Sequence, residues 1–149
     1  MAENKVIAYT DGACKGNPGV GGWGAFLSYN GVEKELYGAE KETTNNRMEI
    51  LGTINALKIL KRKCDVVIYT DSKYVKNGIL EWMPNWIKNN WKTAAKKPVK
   101  NKDLWVELNE MVAFHNVEWK WVKGHSGNVG NEKADELANK AIEEFRSKK

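Results

Sequence analysis

The sequence predicts an α/β fold, a mixed β-sheet with helices packed on its faces, in a single domain. Three strand patterns come first along the chain, and patterns for helix, strand, helices, strand and helix follow them. The length of 149 residues is about that of one domain. We therefore predict one domain over residues 1–149, with a basic helical protrusion at about 81–102 and a flexible tail at about 145–149.

The first three elements are predicted to be strands. Residues 5–10 form the first strand, a glycine-rich turn covers 12–22, and the second strand covers 23–29. The Asn-Gly pair at 30–31 is a strong signal for a two-residue hairpin. The third strand, at 33–42, is therefore predicted to run antiparallel to the second.

Helices and strands alternate in the rest of the chain. Thr43 or Thr44 is predicted to cap a helix whose apolar residues recur every three positions and which ends in the basic cluster 61–63. The uninterrupted apolar run at 65–70 is typical of a strand buried on both faces. The remaining predicted elements are a short helix from Ser72, a helix at about 101–114, a strand at 117–122 and a last helix after the loop 124–130.

Positive charge is concentrated in one part of the sequence. Lysine and arginine number 24 against 19 acids, a net charge of +5. Six lysines and no acid lie between Trp82 and Lys102, and this window also contains Trp86 and Trp91. Lysines neutralise phosphates and flat aromatic rings pack on sugars and bases, so the window indicates a nucleic-acid partner. The alternative is a solvated helix with its tryptophans in the core.

The cysteines and the N-terminus indicate the compartment. Cys14 and Cys64 lie fifty residues apart, without a C-x-x-C pair or a histidine at zinc-ligand spacing. Neither a zinc site nor a disulfide framework is therefore predicted. The sequence shows no secretory signal and no apolar run that suits a membrane helix, so we predict a cytoplasmic protein without a membrane partner.

Four carboxylates are the candidate catalytic residues. The tripeptide Tyr-Thr-Asp occurs twice, each time at the end of a predicted strand, and supplies Asp11 and Asp71. If the two strands are parallel neighbours, both aspartates reach the same sheet edge, although an Asp-Gly turn and a helix cap are ordinary alternatives. Glu49 and Asp135 lie near the starts of two predicted helices. Such a cluster cannot stay ionised without cations, and oxygen-only ligands favour Mg²⁺ or Mn²⁺.

Hard divalent ions beside a basic aromatic surface indicate phosphodiester chemistry. In two-metal hydrolysis the ions activate the attacking water and stabilise the leaving oxygen, so no nucleophilic side chain is needed. His125, in the glycine-flanked loop ten residues before Asp135, is a candidate for proton transfer, although a lone loop histidine is more often inert.

Five sequence blocks together resemble those of ribonuclease H, type 1. They are Tyr9-Thr10-Asp11-Gly12 with Gly16-Asn17-Pro18-Gly19, Thr44-Asn45-Asn46-Arg47-Met48-Glu49, Tyr69-Thr70-Asp71-Ser72, Gly124-His125-Ser126-Gly127, and Asn131-Glu132-Lys133-Ala134-Asp135. The resemblance covers nearly the whole chain. It implies an endonuclease that cuts the RNA strand of an RNA/DNA hybrid and leaves 5′-phosphate and 3′-hydroxyl ends. It also implies the RNase H-like fold, a five-stranded mixed sheet with its first three strands antiparallel.

The resemblance also implies roles for individual residues. The four carboxylates become the metal ligands and His125 a mobile histidine that helps proton transfer or product release. The implied contacts to the hybrid come from Cys14, Asn17, Asn45 and Asn46, and Thr44 lies near a DNA-phosphate contact. Four residues of this chain fall in the segment that matches the basic protrusion of the handle-bearing cellular type: Trp82, Trp86, Lys88 and Trp91. Many relatives have glutamine where this chain has Lys73, so an ionic substrate contact is expected there.

Two other functions remain open at this level. A DNA-cleaving relative, such as a resolvase or integrase, would share the carboxylates. A non-catalytic hybrid-binding module would be expected to lack some of the acids, and none is missing here. No sequence feature indicates an oligomer, so we expect a monomer with no obligate protein partner.

Overall fold

A computed structural model describes residues 5–16, 18–122 and 129–147. The sheet has five strands in the order β3-β2-β1-β4-β5. The strands are β1 (Val6–Gly16), β2 (Gly19–Tyr29), β3 (Val32–Thr43), β4 (Asp65–Thr70) and β5 (Asn116–Trp121). The first three are antiparallel, and β4 pairs in parallel with both β1 and β5. This confirms the predicted mixed sheet.

The hairpin between β2 and β3 is a two-residue turn, as predicted. Tyr29 pairs with Val32, and both intervening residues have positive φ, 50° at Asn30 and 82° at Gly31. Two left-handed residues in succession give the strands the twist that a tight hairpin needs, which explains the Asn-Gly pair.

The prediction of a long glycine-rich turn at 12–22 is wrong. Strand β1 continues to Gly16 and β2 already begins at Gly19. The glycines in β2 serve helix packing instead, because a Cβ at Gly22 would overlap the backbone of Ala138 and a Cβ at Gly24 that of Ala134. Without side chains at these positions, the last helix approaches the sheet closely.

The described part of the chain contains five α-helices. They are α1 (Asn45–Lys58), α2 (Lys73–Asn77), α3 (Met83–Lys88), α4 (Lys102–Phe114) and α5 (Val129–Ser147), with a π-helical turn at Gly78–Trp82. The Thr44 hydroxyl accepts a hydrogen bond from the amide of Arg47, so Thr44 is the cap of α1. Helix α1 packs on β1 and β2, α4 packs on α1, and α5 packs on the first three strands. Helix α1 ends at Lys58, before the basic cluster 61–63 that the sequence predicts as its end.

The main core lies between α1, α4 and the sheet. Its fully buried side chains include Ile54, Leu57, Ile68, Trp105 and Leu108. These come from helices and strands that are far apart in sequence, so the core fixes the position of α1 over the sheet. Among the described residues, no helix is both long and apolar enough to span a membrane.

The basic protrusion is anchored by aromatic rings. Tyr74 packs against Trp82 and Trp105 with ring centroids 5.5 and 5.3 Å apart, and Trp86 lies 5.8 Å from Trp82 and 6.3 Å from Trp91. The three protrusion tryptophans are half-buried, whereas Lys88 is exposed. The tryptophans therefore pack mainly on one another and the core, which was the alternative interpretation, and the lysines line the surface.

The C-terminal helix extends further than expected. Helix α5 continues to Ser147, through the first three residues of the predicted tail, while residues 148–149 lie outside the described part of the chain. The flexibility of the tail stays a prediction.

Candidate metal centre and active site

Three carboxylates meet beside the carboxyl end of β4. Asp11, Glu49 and Asp71 each offer an oxygen, and these oxygens lie within 4.8 Å of one another. Asp71 directly follows β4, as the sequence predicts. Asp11 lies within β1 rather than at its end, since β1 continues in antiparallel pairing with β2. The parallel pairing with β4 nevertheless ends at Tyr9 and Tyr69, so Asp11 emerges next to Asp71.

The repeated tripeptide explains this juxtaposition. Tyr9 and Tyr69 are direct partners in the parallel ladder, and their rings stack with centroids 4.8 Å apart. Each aspartate follows its tyrosine by two residues, so the register that pairs the tyrosines also brings the two carboxylates together. The short distance is thus set by strand register.

Glu49 is brought to the cluster by the close approach of α1. Its side chain is only 7% exposed and accepts a hydrogen bond of 2.9 Å from the amide of Gly12. A Cβ at Gly12 would lie 2.5 Å from the backbone nitrogen of Glu49, so only glycine allows this contact. The Ser72 side chain also forms a hydrogen bond with Glu49. Ser72 is a site residue that the sequence did not identify, although its place directly after Asp71 was a signal.

The cluster is electrostatically unfavourable without a cation. Burial, the charge of Glu49, a side-chain hydrogen bond with Asp135 and the charge of Asp71 raise the pKa of Asp11 to about 9. Burial raises the pKa of Glu49 to about 7, against a hydrogen bond from Ser72 that lowers it, and the charge of Asp71 adds to the rise. Buried carboxylates this close favour either protons or a bound cation. The all-oxygen donor set suits a hard divalent ion.

Asp135 approaches the cluster from α5, on the face of the sheet opposite to α1. It lies in the second turn of α5, is half-buried and forms a hydrogen bond with Asp11. The Asn139 amide donates to the backbone oxygen of Asp135 at 2.9 Å and lies 3.4 Å from a carboxylate oxygen. Helix α5 thus supplies the fourth acid at the place where the sequence predicted it.

Comparisons with known proteins agree with this geometry. The model of the RNase H family matches residues 3–143. A protein named Ribonuclease H from Francisella tularensis subsp. novicida (strain U112) is 72% identical over 146 residues, which cover 98% of this chain and 96% of that relative. The chain belongs to the RNase H family.

Solved RNase H structures share the fold. LC9-RNase H1, described as a type 1 RNase H with the type 2 active-site motif, is 34% identical with a TM-score of 0.84 and covers 95% of this chain and 73% of that chain. The N-terminal RNase H domain of a Mycobacterium tuberculosis protein is 26% identical with a TM-score of 0.72, covering 97% of each chain. LC11-RNase H1 in complex with an RNA/DNA hybrid has a TM-score of 0.71 over 95% of this chain and 99% of that chain, and at 24% identity it supports the fold alone.

Several substrate-contact residues inferred from the RNase H resemblance lie close in sequence to the carboxylates. Cys14 is half-buried in β1, where its thiol lies 3.4 Å from the backbone oxygen of Thr43. Asn45 and Asn46 begin α1, and Lys73 begins α2 with its side chain exposed. Two predicted residues, Asn17 and His125, lie outside the described residues. The contact roles of all these residues stay predictions.

Arg47 forms a network that sequence reasoning missed. Its guanidinium binds both carboxylate oxygens of Asp103, at 3.1 and 2.8 Å, and donates to the Asn101 side chain at 3.1 Å. The Asn101 amide donates to the Tyr74 hydroxyl at 2.9 Å, and the Trp105 indole nitrogen lies 3.2 Å from the same oxygen. The network joins the start of α1 to α4 and to the aromatic anchor of the protrusion. No local pattern indicates it, because these partners lie 54 and 56 residues from Arg47.

Proposed function

We propose that the protein is an RNase H endonuclease that hydrolyses the RNA strand of RNA/DNA hybrids and leaves 5′-phosphate and 3′-hydroxyl ends. The observation that carries the proposal is the buried acidic cluster, with three carboxylates within 4.8 Å, in a chain 72% identical to proteins named Ribonuclease H. The match of the RNase H family model to residues 3–143 supports the choice of substrate.

The metal site is proposed to consist of Asp11, Glu49, Asp71 and Asp135, with Mg²⁺ as the ion and Mn²⁺ as a substitute. A bound pair of divalent ions would activate the attacking water and stabilise the leaving oxygen. The protein's own contribution is to hold the ligands in place before substrate arrives. The Gly12 amide and the Ser72 side chain fix Glu49 through hydrogen bonds, so the site needs little reorganisation on binding.

Substrate recognition is assigned to residues on either side of the carboxylates. We assign contacts to the hybrid, with RNA 2′-hydroxyls among the targets, to Cys14, Asn17, Asn45 and Asn46, since small polar groups can reach a shallow minor groove. Thr44 is assigned to a DNA phosphate and Lys73 to an ionic contact. The DNA strand would then extend towards the protrusion, whose proposed contacts are Trp82, Trp86, Lys88 and Trp91. His125 is proposed to assist proton transfer or product release.

A cleavage assay tests the function. Purified protein is incubated with RNA/DNA hybrid, RNA duplex and DNA duplex, with and without Mg²⁺. We expect cleavage of the hybrid alone and only with the ion, and at least a hundredfold loss in Asp11→Asn. Cleavage of the DNA duplex would favour the DNA-cleaving alternative, and hybrid binding without product would favour the non-catalytic module.

The assembly and location are also proposals. We propose that residues 1–149 act as one monomeric domain in the cytoplasm, without an obligate protein partner. The absence of an identified membrane-spanning helix among the described residues is compatible with this. Sedimentation equilibrium checks the oligomeric state, and a concentration-dependent dimer would contradict the proposal.

A further inference from the structure

A cavity opens beside the acidic cluster. It has a volume of about 320 Å³ and lies between α2 and the carboxyl ends of β4 and β5. Asp71 forms part of its wall, together with Lys73, Lys76 and Trp121. Small-ligand sites in proteins begin at about 300 Å³, so the cavity has room for about one nucleotide. Of these residues, Lys76 and Trp121 have no role in the function proposed above.

The charge of the cavity suits a phosphate. Lys73 and Lys76 are three positions apart on α2, so their side chains lie on the same side of the helix, and both are exposed. In the described part of the chain neither lysine takes part in an ion pair, whereas Lys5 and Lys120 both pair with Glu118. Two cations against the single carboxylate of Asp71 leave the cavity wall with a net positive charge, which favours an anionic ligand.

The aromatic wall of the cavity is held rigidly. The ring of Trp121 stacks on that of Trp119, with centroids 5.4 Å apart and an interplanar angle of 8°. Trp121 is half-buried and faces the cavity beside Val122. A fixed flat ring next to two cations is the combination that binds a nucleotide, since the ring packs on sugar or base while the cations bind the phosphate.

The sheet order places this cavity next to the carboxylates, on the side away from Cys14. The carboxylates lie between β1 and β4, the inferred RNA contacts at Cys14 lie towards β2, and the cavity lies on the other side, towards β5. A strand that runs from β2 towards β5 along this edge, with a phosphate at the carboxylates, would continue over the cavity. Because Asp71 belongs both to the acidic cluster and to the wall of the cavity, the nucleotide next to a phosphate at the carboxylates would lie within reach of the cavity.

We infer that this cavity is a subsite for the RNA nucleotide adjacent to the scissile bond, with Lys76 binding its phosphate alongside Lys73 and Trp121 packing on its sugar or base. The inference rests on the proposed function. It adds two binding residues and extends the substrate path beyond Asp71, towards β5.

The phosphate contact is tested by removing the charge of the phosphate and the charge of Lys76, separately and together. Hybrids whose cleavage positions are mapped receive one neutral methylphosphonate linkage at successive positions near the scissile bond. In each modified hybrid, the nucleotide before the methylphosphonate carries a 2′-O-methyl group for chemical stability. The reference hybrid has the same 2′-O-methyl nucleotide followed by an ordinary phosphate. Single-turnover cleavage with enzyme in excess gives the apparent Kd. We expect one linkage to weaken wild-type binding about fivefold. Lys76→Ala should weaken binding of the reference, and that linkage should then weaken binding less than it does in the wild type, because only Lys73 remains to bind the phosphate.

A matched control and two outcomes make the test decisive. Lys120→Ala removes a cation from β5 outside the cavity and should reproduce the wild-type profile. If the wild type cleaves the unmodified hybrid and Lys76→Ala keeps the wild-type sensitivity at every linkage, the subsite is wrong while the proposed function stands. If the wild type cleaves no hybrid at all, both are wrong.

The aromatic contact is tested separately. Trp121→Phe keeps a flat ring and Trp121→Leu does not, so we expect near wild-type hybrid affinity in the first and a severalfold loss in the second. Urea denaturation of both variants shows whether they remain folded under assay conditions. Equal affinity of the folded leucine variant and the wild type would remove Trp121 from the subsite.

Discussion

At the scale of single residues, the acidic cluster is held together against electrostatic repulsion. Asp11 is 6% exposed and Glu49 7% exposed, and both sit beside a third carboxylate. The sequence identified the acids because two follow repeated tripeptides and two lie near helix starts. It did not reveal how strongly burial would act on them, because burial depends on the contact between Gly12 and α1. It also missed Arg47, whose partners come from a distant helix.

The raised pKa values make the stability of the metal-free protein depend on pH. Asp11 and Glu49 have folded-state pKa values of about 9 and 7, above the usual 3.8 and 4.5. Their contribution to stability is complete below the unfolded pKa values and is lost as pH rises through the folded ones. In EDTA we therefore expect the free energy of unfolding to fall between about pH 4 and pH 9, as measured by urea denaturation.

Replacing one of the two titrating carboxyls should reduce this loss. At pH 8 in EDTA, Asp11→Asn is expected to be more stable than the wild type by about 2 kcal/mol, less than the full shift implies because the pocket relaxes and admits water. With Mg²⁺ the order should invert, since the wild type gains binding energy. Asp65→Asn, the same change at an exposed position, is the control. A wild type as stable in EDTA at pH 8 as at pH 5 would contradict this account of the cluster.

At the scale of elements, helix packing depends on a few close contacts. The prediction from sequence was good for β4 and for the hairpin, where a continuous apolar run and an Asn-Gly pair act locally. It failed at 12–22, because glycine signals a turn and a close helix approach equally well in sequence. Only the tertiary structure decides between them, and here α5 occupies the space that side chains would fill.

Two ion pairs connect α1 with α4, and their contributions to stability can be compared. Arg47 and Asp103 form a bidentate pair with a side-chain exposure of 28% for the arginine, whereas Lys58 and Glu107 meet at 3.4 Å with the lysine 63% exposed. We expect Asp103→Asn to lower the free energy of unfolding by about 1 kcal/mol and Glu107→Gln by close to zero. Equal effects in urea denaturation would mean that the bidentate geometry adds nothing.

The π-helical turn is predicted to tolerate no side chain at Gly78. A Cβ there would overlap the ring of Trp105, which is fully buried. Overpacking of this kind costs about 1–3 kcal/mol, so Gly78→Ala should lower the urea midpoint and loosen the aromatic anchor of the protrusion. Near-UV circular dichroism reports the tryptophan packing. An unchanged midpoint and spectrum would show that Trp105 moves aside without cost.

At the scale of the whole molecule, the charge of +5 combines a basic surface with a buried acidic site. The basic surface of the lysine-rich window could be predicted from the sequence because its lysines lie close together with no acid among them. The role of its tryptophans could not be predicted, since tryptophans serve equally as exposed stacking surfaces or as core residues. Here they pack mainly on one another. The protrusion therefore presents cations on an aromatic support.

The protrusion lysines should determine the salt dependence of hybrid binding. Replacing Lys88, Lys96 and Lys97 with alanine is expected to weaken binding and to reduce the slope of log K against log salt by about 0.9 for each phosphate that these lysines neutralise. The matched control replaces Lys61, Arg62 and Lys63, which removes the same charge just before β4, at its opposite end from Asp71. Identical slopes in the two triple variants would mean that net charge alone attracts the hybrid.

The parallel pairing of β1 with β4 also links nuclease activity to the completion of folding. Val6 pairs with Val66, sixty positions along the chain, and closing so long a loop has a large entropic cost. Asp11 and Asp71 come together only when that ladder is in register, because a shift by one residue would turn one carboxylate to the other face. A chain in which β1 and β4 have not yet paired therefore lacks the acidic cluster on which cleavage is proposed to depend, and would acquire cutting ability only once that ladder has formed.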